Sequence, residues 1–204
     1  GCQVFSFKKP SSQELDHDFL WRTSKCLPER GRIGIFNRSH YEEVLVVRVH
    51  PQILASQKIP GELNHETIWN DRLRSIREHE EHLARNGTVI LKFFLNVSRD
   101  EQKRRFLSRL NDSEKNWNFE PKDVVERRYW EDYMAAYQDA LIASSRPWAP
   151  WYAIPADNKP YMRARVADII IETLQSIGLR YPVPSDEDRA EFAAAREELE
   201  NDEM

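Results

Sequence analysis

The sequence predicts an α/β protein, a parallel sheet with helices on both faces, on three observations. The run Ile33-Gly34-Ile35-Phe36 is short, apolar and β-branched, and it stops abruptly at Asn37, Arg38, Ser39, His40, Tyr41, Glu42 and Glu43. The run TVILKFFLNVS, Thr88–Ser98, has the same character and gives way at once to a basic segment. Both read as strands buried on two faces, the pattern of parallel sheets covered by helices. Strand-like and helix-like segments also alternate throughout, and the first strand–helix–strand passage takes about 36 residues, the size of one βαβ crossover.

Taken in order, Gly1–Lys9 sets Val4, Phe5 and Phe7 among polar residues and reads as a strand. Pro10 breaks it, and Ser11 or Ser12 can cap a helix with Glu14 in its first turn. That helix, Glu14–Leu27, places Leu15, Phe19, Leu20 and Leu27 at near-helical spacing and ends at Pro28-Glu29-Arg30-Gly31. After the central strand, Ser39 can cap a turn with Glu42 at the third helical position, forming a capping box. The helix then runs Tyr41–Leu54 through Val44, Leu45, Val47 and Val49, with Pro51 able to cut it short. Asn64–Asn86 is a long helix with Ile68, Trp69, Leu73, Ile76 and Leu83 on one side, closed by Asn86-Gly87. The strand Thr88–Ser98 precedes a basic helix, Arg99–Leu110, and a polar loop, Asn111–Pro121. Lys122–Ser145 is a long helix whose Trp130, Tyr133 and Tyr137 sit at helical spacing, as core or subunit-interface residues do. Trp148–Pro155 is a short strand, Asp157-Asn158-Lys159 a turn, and Tyr161–Gly178 a final amphipathic helix. No internal repeat or low-complexity tract interrupts this order.

Composition narrows the class. With 204 residues, 40% hydrophobic and 31% charged, the chain has the make-up of a soluble globular protein. Its apolar runs are too short to cross a bilayer and no basic-then-apolar leader opens it, so the expectation is a cytoplasmic protein without membrane contact. Cys2 and Cys26 alone make neither a disulfide framework nor a zinc pattern, and read as packing residues. The net charge of −4 is uneven. Asp186–Met204 holds nine acids against two bases, net −7, leaving 25 acids and 28 bases on Gly1–Ser185, net +3. The tail is therefore a solvated acidic helix or a frayed end, and the mildly basic body points to an anionic ligand.

The abrupt polar end of the central strand marks the carboxyl edge of a parallel sheet, where α/β proteins place their ligands. Capping accounts for Ser39 and Glu42 but does not require the arginine beside them. In the basic helix, Arg105 and Arg109 are four residues apart and share a face, with Arg99, Lys103 and Arg104 nearby and Lys115 and Arg127-Arg128 following. A solvated face has the same look. Position distinguishes them, because this helix leaves the carboxyl end of a strand and so overhangs the edge that carries Arg38. Arginines give phosphates bidentate, charge-assisted hydrogen bonds. Phosphoryl transfer asks the protein for alignment and charge neutralisation, and a helix bearing arginines over a sheet edge is the kind of lid that excludes water. Ser39 beside His40 lacks the G-x-S-x-G elbow of a hydrolase. His79 and His82 with Glu78, Glu80 and Glu81 read as a solvated helix face rather than a metal site. Nucleic acid is not expected, since single-strand binders pair basic grooves with exposed aromatics and the basic helix holds only Phe106, at an apolar position.

Several separated motifs, in order, resemble the polyphosphate kinase 2 family. They are Leu15-Asp16-His17-Asp18-Phe19-Leu20-Trp21-Arg22, Phe36-Asn37-Arg38-Ser39-His40-Tyr41-Glu42, the basic segment through Lys115-Asn116-Trp117, and Ala149-Pro150-Trp151-Tyr152 through Pro155-Ala156-Asp157-Asn158-Lys159. The resemblance implies a three-layer α/β/α P-loop kinase-like fold over residues 1–180, with a helical lid at about 99–121 and an acidic tail at 181–204. It implies Mg²⁺-dependent phosphoryl transfer between inorganic polyphosphate and an adenine nucleotide, ADP or AMP, by a homo-oligomer. On it, Asn37-Arg38-Ser39 fall on the Walker B segment, with Asn37 and Arg38 catalytic. Arg22, Arg38, Arg105, Arg109 and Lys115 bind phosphate, and the metal ligands are left unassigned. Asn37 stands where many members have Asp and resembles the branch that phosphorylates AMP as well as ADP.

One departure matters. The family's glycine-rich Walker A loop belongs upstream of the Gly1–Lys9 strand, and no Gly-Lys dipeptide occurs in these 204 residues. The expectation is an N-terminally incomplete version of the fold. On its own it would turn over poorly and expose an unpaired strand edge that invites association. The competing readings are an ATP-dependent nucleotide kinase of the same fold and a non-catalytic polyphosphate-binding remnant.

Overall fold

Among the described residues, four short strands build the framework: β1 (Cys2–Ser6), β2 (Ile33–Asn37), β3 (Lys92–Asn96) and β4 (Trp151–Pro155). The computed structural model describes all residues except Glu62, His65, Lys115 and the last three, 202–204, and at Asn118 the backbone alone. β1 pairs with β2 in parallel from Cys2 opposite Ile33 to Ser6 opposite Asn37, and β3 pairs with β4 from Lys92 opposite Trp151 to Asn96 opposite Pro155. Parallel pairing across helical connections is the expected α/β arrangement. The single continuous sheet is not seen, because the two pairs form separate two-stranded sheets. Nor is β2 buried on both faces. It has one ladder partner, so its residues alternate, and Ile33 and Ile35 are 44% and 45% exposed. β3 is shorter than the apolar run around it, with Val89 and Leu95 both exposed.

Several helices read as continuous are broken. In place of one helix over 14–27 stand α1 (Ser12–Leu15), which begins two residues earlier, and α2 (Trp21–Ser24). Ser11 caps α1 in a full capping box with Glu14, as expected. Between the two, Asp18 Oδ1 accepts the Leu20 N–H at 2.9 Å, a local bond that competes with helix continuation. After β2 come a 3-10 turn (His40–Glu43), α3 (Val46–Val49) and a second 3-10 segment that starts at Pro51. α4 (Ile68–Arg85) is uninterrupted, and Gly87 beyond it has φ +89°, the left-handed helix exit that favours glycine. α5 (Arg99–Leu110) has the predicted bounds, with Ser98 Oγ accepting the Glu101 N–H. The 122–145 helix divides into α6 (Lys122–Glu126), a 3-10 turn and α7 (Trp130–Ser144).

The main core gathers Tyr41, Val44 and Leu45 from the segment after β2, Leu73 and Ile76 from α4, and Ala136 and Ala140 from α7. The two alanines stand four apart on one face of α7, which lets α4 pack closely against it. The chain forms two compact units, Gly1–Met162 and Arg163–Met204. α8 (Lys159–Ser176) begins at the end of the first unit, and the second also holds α9 (Asp186–Asn201), an acidic helix exposed along its length. Cys26 is half-buried, but Cys2 is exposed and is not a packing residue. Among the described residues no helix is long and apolar enough to cross a membrane.

Candidate active site

The carboxyl end of β2 is built by an unusual backbone. Asn37 closes the strand, is exposed, and accepts the Phe7 N–H at 3.1 Å, which extends the β1–β2 ladder by one bond. Arg38 follows with φ +63°, a left-handed conformation that costs a non-glycine residue on the order of 1 kcal/mol and persists only where its surroundings hold it. Ser39 is extended; its Oγ accepts the Tyr41 N–H at 3.3 Å and its carbonyl accepts the Glu42 N–H at 3.1 Å. Ser39 is thus the cap of a tight 3-10 turn. The capping box does not form, because the Glu42 carboxylate turns to Arg38 at 3.6 Å instead.

The Arg38 side chain is 61% exposed and so open to a ligand. Burial pushes the Glu42 carboxyl up, opposed first by Arg38 and then by Arg22, so these two arginines flank one carboxylate. Arg22, on α2, is largely buried. Its Nη2 donates to the Lys8 carbonyl at 2.8 Å, its Nε lies 3.5 Å from Glu14, and its guanidinium covers the Phe7 ring. Lys122, which the sequence reading passed over, is paired with Glu120 and feels the charge of Arg38. Tyr137 lies on the same side; burial and then Glu42 push its phenol up, and Arg38 opposes them.

Arg105 and Arg109 form a second group. Arg105 Nε donates to Glu101 at 2.7 Å, and its Nη2 donates to the Ala156 and Asp157 carbonyls at 2.6 and 3.1 Å. Asp157 Oδ1 accepts the Ser98 N–H at 2.7 Å, and Arg127 Nη1 donates to Arg99 O at 2.8 Å and Gln102 Oε1 at 2.7 Å. The first turns of α5 are therefore latched to the loop after β4 and to the turn after α6. Arg109 lies one turn further on, beside Phe106. Lys115 lies outside the described residues. Arg38 and Arg22 both act on the Glu42 carboxyl, with Asn37 next to Arg38 in the chain, and among the described residues no hydrogen bond or ion pair joins them to Arg105 or Arg109.

The sequence reading missed a buried polar cluster behind this edge. Glu80, expected on a solvated face, is 2% exposed. It receives the Lys92 ammonium at 2.5 Å and the Tyr41 hydroxyl at 2.9 Å. Burial pushes Lys92 down, opposed by Glu80, and burial with Glu80 pushes the Tyr41 phenol up. A lysine inside the apolar run TVILKFFLNVS was the available signal, since a buried ammonium requires a buried carboxylate.

The resemblance implies Mg²⁺, and these residues do not build a site for it. Glu42 already faces Arg38, and among the described residues no three His, Cys, Asp or Glu side chains converge.

An α/β protein with parallel strand pairs and charged residues gathered where its strands end is the class this fold and edge define. Within that class, the chain belongs to the polyphosphate kinase 2 family: the family described as Polyphosphate kinase 2 (PPK2) matches residues 1–180. It is 54% identical over 200 residues to the ADP-polyphosphate phosphotransferase of Rhodopseudomonas palustris, covering 98% of this chain and 69% of that protein. It is 45% identical over 184 residues to the AMP/ADP-polyphosphate phosphotransferase of Meiothermus ruber, covering 90% and 65%. The crystal structure of polyphosphate kinase 2 from Arthrobacter aurescens TC1 matches with a TM-score of 0.87 at 38% identity, over 97% of this chain and 66% of that one. The chain therefore spans about two thirds of the length of these phosphotransferases.

Proposed function

We propose that this protein transfers phosphoryl groups between inorganic polyphosphate and an adenine nucleotide, ADP or AMP, on a P-loop kinase-like fold. The observation that carries the reading is Arg38: an exposed guanidinium on a strained backbone, one residue past a parallel strand, in a chain 54% identical to an ADP-polyphosphate phosphotransferase. A planar guanidinium fixed there can grip two oxygens of a terminal phosphate, align it, and neutralise charge that spreads over its oxygens during transfer. Glu42 holds the guanidinium until phosphate replaces it, and Arg22 adds positive charge behind Glu42. Arg109 on α5 supplies a further cation for the polymer, while Arg105 holds α5 in place. Asn37, shared with the branch that takes AMP, supports use of both nucleotides. The family reading carries with it a cytoplasmic homo-oligomer, and the exposed Val124, Val125 and Ile142 of α6 and α7 are compatible with a subunit contact.

Donor exchange tests the reaction. A chain with a glycine-rich phosphate loop ahead of β1 should form ATP from ADP, and ADP from AMP, with polyphosphate as the only donor. Product formed only when ATP is the donor would make it a nucleotide kinase and overturn the reading.

A further inference from the structure

The loop that carries Arg38 is fixed at both ends. At its start Asn37 lies in β2, and its carbonyl is held by the Phe7 N–H. Four residues later Tyr41 enters a buried cluster assembled from four other elements. The Lys92 ammonium, on β3, donates to Glu80 Oε2 of α4 at 2.5 Å, to the Tyr41 hydroxyl at 3.0 Å and to the Ser144 carbonyl of α7 at 2.9 Å. The Tyr41 hydroxyl donates onward to Glu80 Oε1 at 2.9 Å. Trp151 of β4 stands edge-on to the Tyr41 ring at 4.8 Å and donates its indole N–H to Ser144 Oγ at 2.9 Å. The lysine has three donors and all three are used, one each on a carboxylate, a hydroxyl and a backbone carbonyl.

Apolar side chains of similar volume often serve a core as well as a buried ion pair, so this pair calls for a role beyond stability. Tyr41, Glu80 and Lys92 are all buried and cannot touch a ligand in bulk solvent. What they hold still is the far end of a loop whose middle residue is strained. A left-handed arginine relaxes unless the chain on each side is fixed. We infer that Tyr41, Glu80 and Lys92 are positioning residues, which clamp the 37–41 loop so that Arg38 presents its guanidinium to phosphate in one orientation. The inference rests on the proposed role of Arg38 as a phosphate ligand.

Tyr41→Phe is the cleanest test, because it removes one hydroxyl and keeps the ring against Trp151. Calorimetry on Gly1–Met204 with sodium polyphosphate of one chain length would compare the parent, Arg38→Ala, Tyr41→Phe and the double variant. Each single change should weaken binding about tenfold, and the double change should weaken it little further, because Tyr41 acts through Arg38. Amide exchange across 37–44 should rise in Tyr41→Phe. Leu54→Val, a buried change in the 3-10 segment that starts at Pro51 and outside the core that holds Tyr41, should lower thermal stability and leave affinity unchanged. Losses that add in the double variant, or no loss in Tyr41→Phe, would overturn the positioning role and leave Arg38 standing. Unchanged binding in Arg38→Ala would instead remove the phosphate contact itself, and the positioning role with it.

Discussion

At residue scale the molecule is decided at Arg38. The sequence made this arginine visible, because a buried-type run that ends in N-R-S-H-Y-E draws attention to its first cation. Its backbone was not legible, since left-handed φ is signalled by Gly or Asn and nothing marks an arginine for it. The strain makes a prediction of its own. Arg38→Gly should be about 1 kcal/mol more stable than Arg38→Ala in denaturant unfolding, because glycine alone occupies φ +63° without cost. Both variants should lose phosphate affinity equally. Equal stability of the two would mean that the loop stores no strain. Lys92 was legible in a different way: it stood in plain view in an apolar run, and the carboxylate it required was on a helix read as solvated.

At element scale the long periodic segments were read well and the composite ones were not. α4 and α5 match their apolar and basic patterns closely. The spans 14–27, 41–54 and 122–145 keep helical spacing in their apolar residues, yet local bonds such as Asp18 to Leu20, and Pro51, break them into short pieces. The first turns of α5 are tied by Arg105 to the loop after β4 and by Arg127 to the turn after α6. Arg105→Ala should release its first turns, seen as faster amide exchange over 99–105, whereas Arg109→Ala should weaken polyphosphate binding and lower its salt slope by about one contact. Hydrogen bonds from Arg104 and Arg105 hold Glu101 below its ordinary value of 4.5, and those from Ser98 hold Asp157 below 3.8. The folded latch therefore binds fewer protons than the unfolded chain. Its contribution is complete above those ordinary values and is lost as pH falls through the lowered ones. Protection factors over 99–105 should stay level from neutral pH down to the ordinary carboxylate range and drop below it; loss already at neutral pH would contradict the latch.

At the scale of the whole molecule, the α/β class and parallel pairing were legible from alternation alone, while the division into two two-stranded sheets was not, because hydrogen-bond partners between strands leave no mark on local sequence. Lys92, Glu80 and Tyr41 link segments from both strand pairs to the helices between them. Lys92→Met should cost about 3–5 kcal/mol by leaving a carboxylate buried without its cation, and adding Glu80→Leu should recover most of that loss. Thermal or denaturant unfolding of the two variants would measure it. The most direct measurement of the central claim is kcat/KM for ADP phosphorylation by polyphosphate, without ATP, in the parent and in Arg38→Ala, each with a glycine-rich phosphate loop ahead of β1. A fall of about a hundredfold or more is expected, the scale of one preorganised donor lost. Near-parental kcat/KM in a folded Arg38→Ala variant would contradict it.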